Sequence, residues 1–179
     1  MIIKKVDNIE EAIECNKLLT KLVKSESKYD TNLKSDYAVT NYFENIYNNN
    51  NSSLFIAKDD NNIALGYAFC KITTSDDGPF WHHVALIDGL YVNEEHRHKG
   101  IATKLIEECK IWAKQAGAGI IELNVSAGNI NAINLYEKIG FKDFEKKMRV
   151  SLKERKGENK WEIIKKMNKQ IWHIMWTMI

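Results

Sequence analysis

Leu90-Tyr-Val-Asn-Glu-Glu-His-Arg-His-Lys-Gly-Ile-Ala-Thr-Lys-Leu105 is the stretch on which the fold of this chain turns. The apolar run leading into it, Val84 to Val92, is too short and too punctuated to span a bilayer and suits a central strand. After a polar loop, Arg97-His98-Lys99-Gly100-Ile101-Ala102 opens a helix, with Leu105, Ile106, Cys109, Trp112 and Ala113 at helical spacing. A helix start leaves its first backbone N–H groups free, and the dipole makes that end positive. Gly100 and Ala102 carry little or no side chain, so a phosphate can approach those amides closely. Arg97 and Lys99 add charge. The chemistry is that of a pyrophosphate cradle; the competing reading is an ordinary strand–loop–helix connection with a charged loop. A Walker loop needs Lys after its second Gly, followed by Ser or Thr, whereas Lys99 precedes Gly100. A dinucleotide fingerprint needs three spaced glycines, which are absent.

Working outward, Met1 to Asp7 reads as a short strand, and Asp7 or Asn8 caps a helix from Ile9 to about Lys24. Ser25 to Asn32 reads as a loop. A second amphipathic helix is expected from Asp36 to Tyr47 through Val39, Tyr42, Phe43 and Ile46, ended by Asn48–Asn51. Ser53–Lys58 and Ile63–Cys70 read as two strands joined by a turn. Beyond the central strand come the helix Lys104–Ala116, a strand Ile120–Val125, a helix Ala132–Ile139 ended by Gly140, and one or two closing strands in Phe141–Lys153. The order β α α β β β α β α β describes a mixed α/β sheet with no internal repeat and no linker.

Composition narrows the function classes. The 179 residues make about one domain, and 44% hydrophobic with 10% aromatic content fills one core. With 26 Lys+Arg against 24 Asp+Glu, the chain lacks the basic excess of a dedicated nucleic-acid binder. No run approaches the roughly 20 apolar residues of a membrane span, and no signal peptide is visible. Cys15, Cys70 and Cys109 are scattered and odd in number, against a disulfide framework or a CxxC metal site. A cytoplasmic protein with no nucleic-acid or membrane partner is expected. His82-His83 and His96-x-His98 lack a Cys or carboxylate at ligand spacing, so no metal is expected, and His83 is a candidate proton relay instead.

Two blocks together resemble a known family. Arg97, Gly100 and Ala102 meet the Arg/Gln-x-x-Gly-x-Gly/Ala pattern of the GCN5-related N-acetyltransferases (GNAT). Asn129 to Phe141 is similar to their Asn-x-x-Ala-x-x-Leu-Tyr-x-x-x-Gly-Phe segment, aligned on Asn131, Ala132, Leu135, Tyr136, Gly140 and Phe141. The resemblance covers about residues 1–155 and is weakest before Ser53. His98 stands where many members have Gly.

The resemblance implies a GNAT fold, a mixed central sheet of six to seven strands flanked by about four helices. It implies acetyl-CoA as co-substrate, with no metal, and an amine acceptor. The backbone of Leu90 and Val92, flanking Tyr91, would bond the pantetheine arm, and the Leu90 amide would polarise the thioester carbonyl. Arg97, His98, Lys99, Gly100, Ile101, Ala102 and Thr103, with Lys104, would hold the pyrophosphate. Asn124 or Asn129, and Asn131, would bind the pantetheine or the strand edge beside it. Tyr136 would donate a proton to the leaving thiolate, or else fill the core as an aromatic.

An acceptor amine arrives as an ammonium and must lose a proton before attack. Asp88 matches the acidic position of similar strands and, by simple alternation, shares a face with Leu86, Leu90 and Val92. It is the first candidate base, with Glu122 second and a structural carboxylate the alternative. Asp30, Asp36, Glu44, Asp76, Asp77 and Asp88 suggest an acidic entrance for a cationic acceptor. The expected activity is direct acetyl transfer to a primary amine of a small molecule: a polyamine, aminoglycoside or amino-acid-like compound. The alternatives are a protein N-terminus or lysine as acceptor, or a non-catalytic acetyl-CoA-binding module. Residues 156–179 form an amphipathic extension. Trp161, Ile164, Met167, Ile171, Ile174, Met175 and Met178 follow a helical period, Trp172 and Trp176 add apolar surface, and the extension is expected to pack or to make a homodimer.

Overall fold

The computed structural model describes residues 1–74, 82–150 and 152. The fold is carried by the unit Met1–Lys142, and the chain from Asp143 onward is a separate unit. Five strands, β1 (Ile2–Lys5), β2 (Ser52–Lys58), β3 (Ala64–Ile72), β4 (His83–Val92) and β5 (Ala118–Leu123), form one sheet in sequence order. The first three pairings are antiparallel and β4–β5 is parallel, which makes the sheet mixed. Helix α1 (Ile9–Glu26) follows β1, α2 (Ile101–Gln115) joins β4 to β5, and α3 (Ile130–Lys138) follows β5.

Helices on both faces explain why β2 is buried along its whole length. Toward α1 it sends Leu54 and Ile56, which cluster with Val6, Ala12, Cys15, Leu18, Phe43, Tyr67 and Phe69. Toward α2 it sends Phe55 and Ala57, which cluster with Ala85, Ile87, Leu105, Ile106 and Cys109. Leu105 and Ile106 are fully buried, each contributing about 2 kcal/mol of apolar transfer. Asn8 caps α1 by accepting the Glu11 N–H at 2.9 Å. At the β2 end of α1, Lys58 is buried and bridges Glu14 at 2.9 Å and Glu11 at 3.3 Å, while Lys4 reaches Glu11 at 3.1 Å.

Three expectations are corrected. The helix Asp36–Tyr47 is absent, and only a single 3-10 turn, Phe43–Asn45, forms there. Asn41 takes a left-handed φ of 56°, which interrupts a right-handed helix, and Asn16 Oδ1 accepts the Phe43 N–H at 3.1 Å so that the ring fills the core. The closing strands are also absent: residues 141–150 carry no helix or strand. Phe144, Met148, Val150 and Leu152 stand exposed, with no ladder partner to hold a strand. Five strands and three α-helices among the described residues therefore replace six to seven and four. The amphipathic extension with Trp161, Trp172 and Trp176 lies outside the described residues, as do Asp76 and Asp77.

Candidate active site

β4 pairs with β5 only from His83 to Ile87, then runs on to Val92 with β3 as its one strand neighbour. β5 ends at Leu123, opposite Ile87, and the chain leaves it through the loop 124–129 into α3, so β4 borders a gap on that side from Asp88 to Val92. The Asn93 N–H bonds Leu65 O at 2.9 Å, so Asn93 and, by alternation, Tyr91 face β3. The amides of Leu90 and Val92 consequently face the gap, where no strand takes them.

Asp88 is an extra residue in β4. Phe69 pairs with Gly89 and Cys70 with Ile87, which leaves Asp88 unopposed in a β-bulge. The bulge resets the alternation. Ile87, Leu90 and Val92 turn to the α2 face, while Gly89 meets Tyr67 in the α1-side core: a Cβ there would stand 2.7 Å from the Tyr67 hydroxyl. Asp88 faces α1 as well, and accepts from Lys71 Nζ at 2.7 Å. Simple alternation fails here. Asp88 shares a face with Leu86, cross-strand neighbour of Lys71 and Glu122, but not with Leu90 or Val92. Lys71 escapes a sequence reading that ends β3 at Cys70; the wider strand carries it opposite Leu86. Its ammonium is raised chiefly by the hydrogen bond to Asp88. Tyr42 completes the cluster, its phenol raised first by burial and then by the Asp88 charge. The Tyr67 hydroxyl is buried with no hydrogen-bond partner and fills the space that Gly89 leaves.

At the end of β4 the loop to α2 is tightly folded. Arg97 Nε donates to Val92 O at 3.1 Å, and its guanidinium lies over the Tyr91 ring. Lys99 Nζ donates to Glu95 O at 3.1 Å. His98 takes φ 61° and Gly100 φ 77°, so the chain turns through two left-handed residues into α2. Gly100 caps α2 with no side-chain acceptor, which leaves the first-turn amides of Ile101, Ala102 and Thr103 without a side-chain partner. Nothing lies within 4 Å of where a Gly100 Cβ would stand. A bare, positive helix start beside an open strand edge fits a pyrophosphate with an extended arm.

On the α2 face, Tyr136 of α3 packs against the core and meets Phe141 edge-on at 6.0 Å. Burial, then the charge of Glu26, pushes its phenol up to about 12. Asn129 is the N-cap of α3, accepting the Ala132 N–H at 3.3 Å; Asn131 is exposed on the first turn and Asn124 lies just past β5. His83 stands at the start of β4, about 16 Å along the strand from Asp88 at ~3.3 Å per residue, and is not part of this site. Of the acidic residues expected at an entrance, Glu44 accepts from Asn16 Nδ2 and Asp30 from the Asn32 N–H. Among the described residues, no group of His, Cys, Asp and Glu could hold a metal ion, and no helix is long and apolar enough to cross a membrane.

Comparison with known proteins agrees with this geometry. Residues 19–141 match the model of the Acetyltransferase (GNAT) family. The chain is 41% identical over 61 residues to a streptothricin acetyltransferase of Escherichia coli, a stretch covering 34% of this chain and 35% of that one. It is 32% identical over 63 residues to an aminoglycoside N(6')-acetyltransferase type 1 of Acinetobacter haemolyticus, covering 35% and 43%. The matched stretches thus span less than half of these relatives. Among solved structures, a mutant Bacillus halodurans protein superposes with TM-score 0.76 at 21% identity, over 85% of this chain and 99% of that one. An aminoglycoside N-acetyltransferase in complex with CoA superposes with TM-score 0.60 at 19% identity, over 85% and 99%. The unpaired end of β4, the bulge at Asp88 and the glycine-started α2 thus sit in a chain that belongs to the GNAT acetyltransferase family.

Proposed function

We propose that this protein transfers the acetyl group of acetyl-CoA directly to a primary amine of a small cationic molecule of the aminoglycoside or streptothricin kind. The observation that carries this is the open edge of β4 at Leu90 and Val92, continuous with the bare amide cradle at Gly100. Family membership and the names of the two relatives support the choice of donor and acceptor class.

The chain's own groups divide the work. The amides of Lys99 to Thr103 hold the pyrophosphate, with Arg97 and His98 shaping the turn and Lys104 adding charge. Leu90 and Val92 bond the pantetheine arm from the strand edge, and Asn124, Asn129 and Asn131 line its other side. The Leu90 N–H points at the acetyl carbonyl and stabilises the charge that develops on its oxygen. On the opposite face, Asp88 takes the proton of the arriving ammonium, and the freed nitrogen attacks the carbonyl carbon. The C–S bond breaks as Tyr136 gives its phenolic proton to the departing sulfur, the new amide nitrogen releases its surplus proton to solvent, and solvent returns a proton to Tyr136. The transfer is direct, with no cysteine as acyl carrier: Cys15, Cys70 and Cys109 are all buried.

CoA release measured over a panel of streptothricin, kanamycin, spermidine, free amino acids and a peptide N-terminus tests the reading. Turnover is expected with streptothricin or kanamycin and not with the peptide. Turnover with the peptide alone would reassign the acceptor, and none with any amine would refute transfer.

A further inference from the structure

α1 packs on one face of the sheet and α3 on the other, yet their ends are tied just beyond the end of β5. Glu26, the last residue of α1, accepts from Ser126 Oγ at 3.2 Å and from Asn129 Nδ2 at 3.4 Å. Asn129 in turn caps α3, its Oδ1 accepting the Ala132 N–H. Next to this tie, the Tyr29 ring lies against Gly128, where a Cβ would stand 3.3 Å from the ring.

We propose that Glu26 is a positioning residue for acetyl transfer, which orients Asn129 and so fixes the start of α3 and the placement of Tyr136 at the gap. The inference rests on the transfer reading above and adds to it a residue that neither family block contains.

Two physical points favour this role over a merely helical one. An acidic residue in the last turn of a helix faces the negative end of the dipole, which is unfavourable for the helix. Glu26 therefore does not serve α1. It serves what it touches across the gap. Secondly, a carboxylate accepts only, whereas an asparagine amide both donates and accepts. Glu26 compels Asn129 to present its Nδ2 outward, and this leaves Oδ1 for the cap. Its charge also adds to the burial that keeps the Tyr136 phenol protonated.

The test is a double-mutant cycle with an independent structural readout. Glu26→Ala, Tyr136→Phe and the double variant are assayed with acetyl-CoA and kanamycin or streptothricin, and amide hydrogen exchange is followed at Asn129 and Ala132. Glu26→Ala is expected to lower kcat about tenfold, the scale of a slight misplacement of a reacting group. KM for acetyl-CoA should move less than threefold. The double variant should be no slower than Tyr136→Phe alone. Exchange at Asn129 and Ala132 should quicken at least tenfold, and Glu26→Gln, which keeps one accepting oxygen, should restore part of both losses. Unchanged exchange in a folded Glu26→Ala variant overturns the proposal, and so does a double variant slower by the product of the single effects. Should the parent protein turn over neither amine, the transfer reading fails, and exchange still decides whether Glu26 fixes α3.

Discussion

Asp88 and Leu90, two residues apart on one strand, project to opposite faces of the sheet, because the bulge at Asp88 adds a residue to β4. The Leu90 side chain packs with the α2-side core, and the exposed Asp88 carboxylate meets Lys71 on the α1 side of the sheet. A base on one face and a proton donor on the other can serve a carbonyl lying in the gap between them.

Asp88→Asn keeps the shape of the side chain and removes its basicity. The rate with a good acceptor should fall by about 10²-fold or more, the usual scale for a general base. Acetyl-CoA binding, measured by calorimetry, should stay. Part of the loss should return at high pH, where more acceptor arrives as free amine. Equal rates for both forms across pH would remove Asp88 from the reaction.

Tyr136 is pushed up to about 12, so the donating form is the protonated phenol, present below that value and lost only as pH rises through it. The kcat profile should therefore show no alkaline fall between pH 7 and 10. Tyr136→Phe should lower kcat by up to about 10²-fold with donor affinity retained. A Phe variant as fast as the parent makes Tyr136 a packing residue.

Gly100→Glu places a carboxylate where the phosphate charge belongs and strains a φ of 77° by about 1–2 kcal/mol. The folded variant should bind acetyl-CoA at least tenfold more weakly in a calorimetric titration. Undiminished binding would move the cradle elsewhere.

His98 holds φ 61° without being glycine. His98→Gly should relieve about 1 kcal/mol of backbone strain and raise the thermal midpoint by several degrees. A lower midpoint would mean that the imidazole makes a contact worth more than the strain.

Lys58→Met keeps the volume and leaves the buried Glu11 carboxylate with Lys4 alone. Removing one partner of a buried ion pair is strongly destabilising, here by about 3 kcal/mol. The urea midpoint should drop with an unchanged m-value. A neutral result would show that Lys4 alone suffices.

The sheet and the start of α2 at Gly100 were legible because their signals are local. A run of apolar residues into Arg97–Ala102 marks a strand and a helix start, and the helical period of Ala132–Ile139, stopped by Gly140, marks α3. The bulge was not legible. Nothing in Ile87-Asp88-Gly89 states which residue lacks a partner on β3; Tyr67, 22 positions earlier, settles it by occupying the space where a Gly89 side chain would stand. Asp36–Tyr47 misleads for the opposite reason: its apolar residues keep a helical period, while Asn41 and the bond from Phe43 to Asn16 override it. Lys71 and Glu26 escaped because their roles depend on partners 17 and 100 or more residues away.

α1 is anchored at both ends by charge: Glu11 and Glu14 to Lys58 near the sheet edge, Glu26 to Ser126 and Asn129 beyond β5. Its 18 residues make a rod of about 27 Å. Such a rod acts as a gauge, setting how far the loop 124–129 stands from β2. One residue inserted midway would swing Glu26 by about 100° and carry it about 1.5 Å along the axis, with the Lys58 end undisturbed. The width of the gap is thus written in the length of a helix that never enters it.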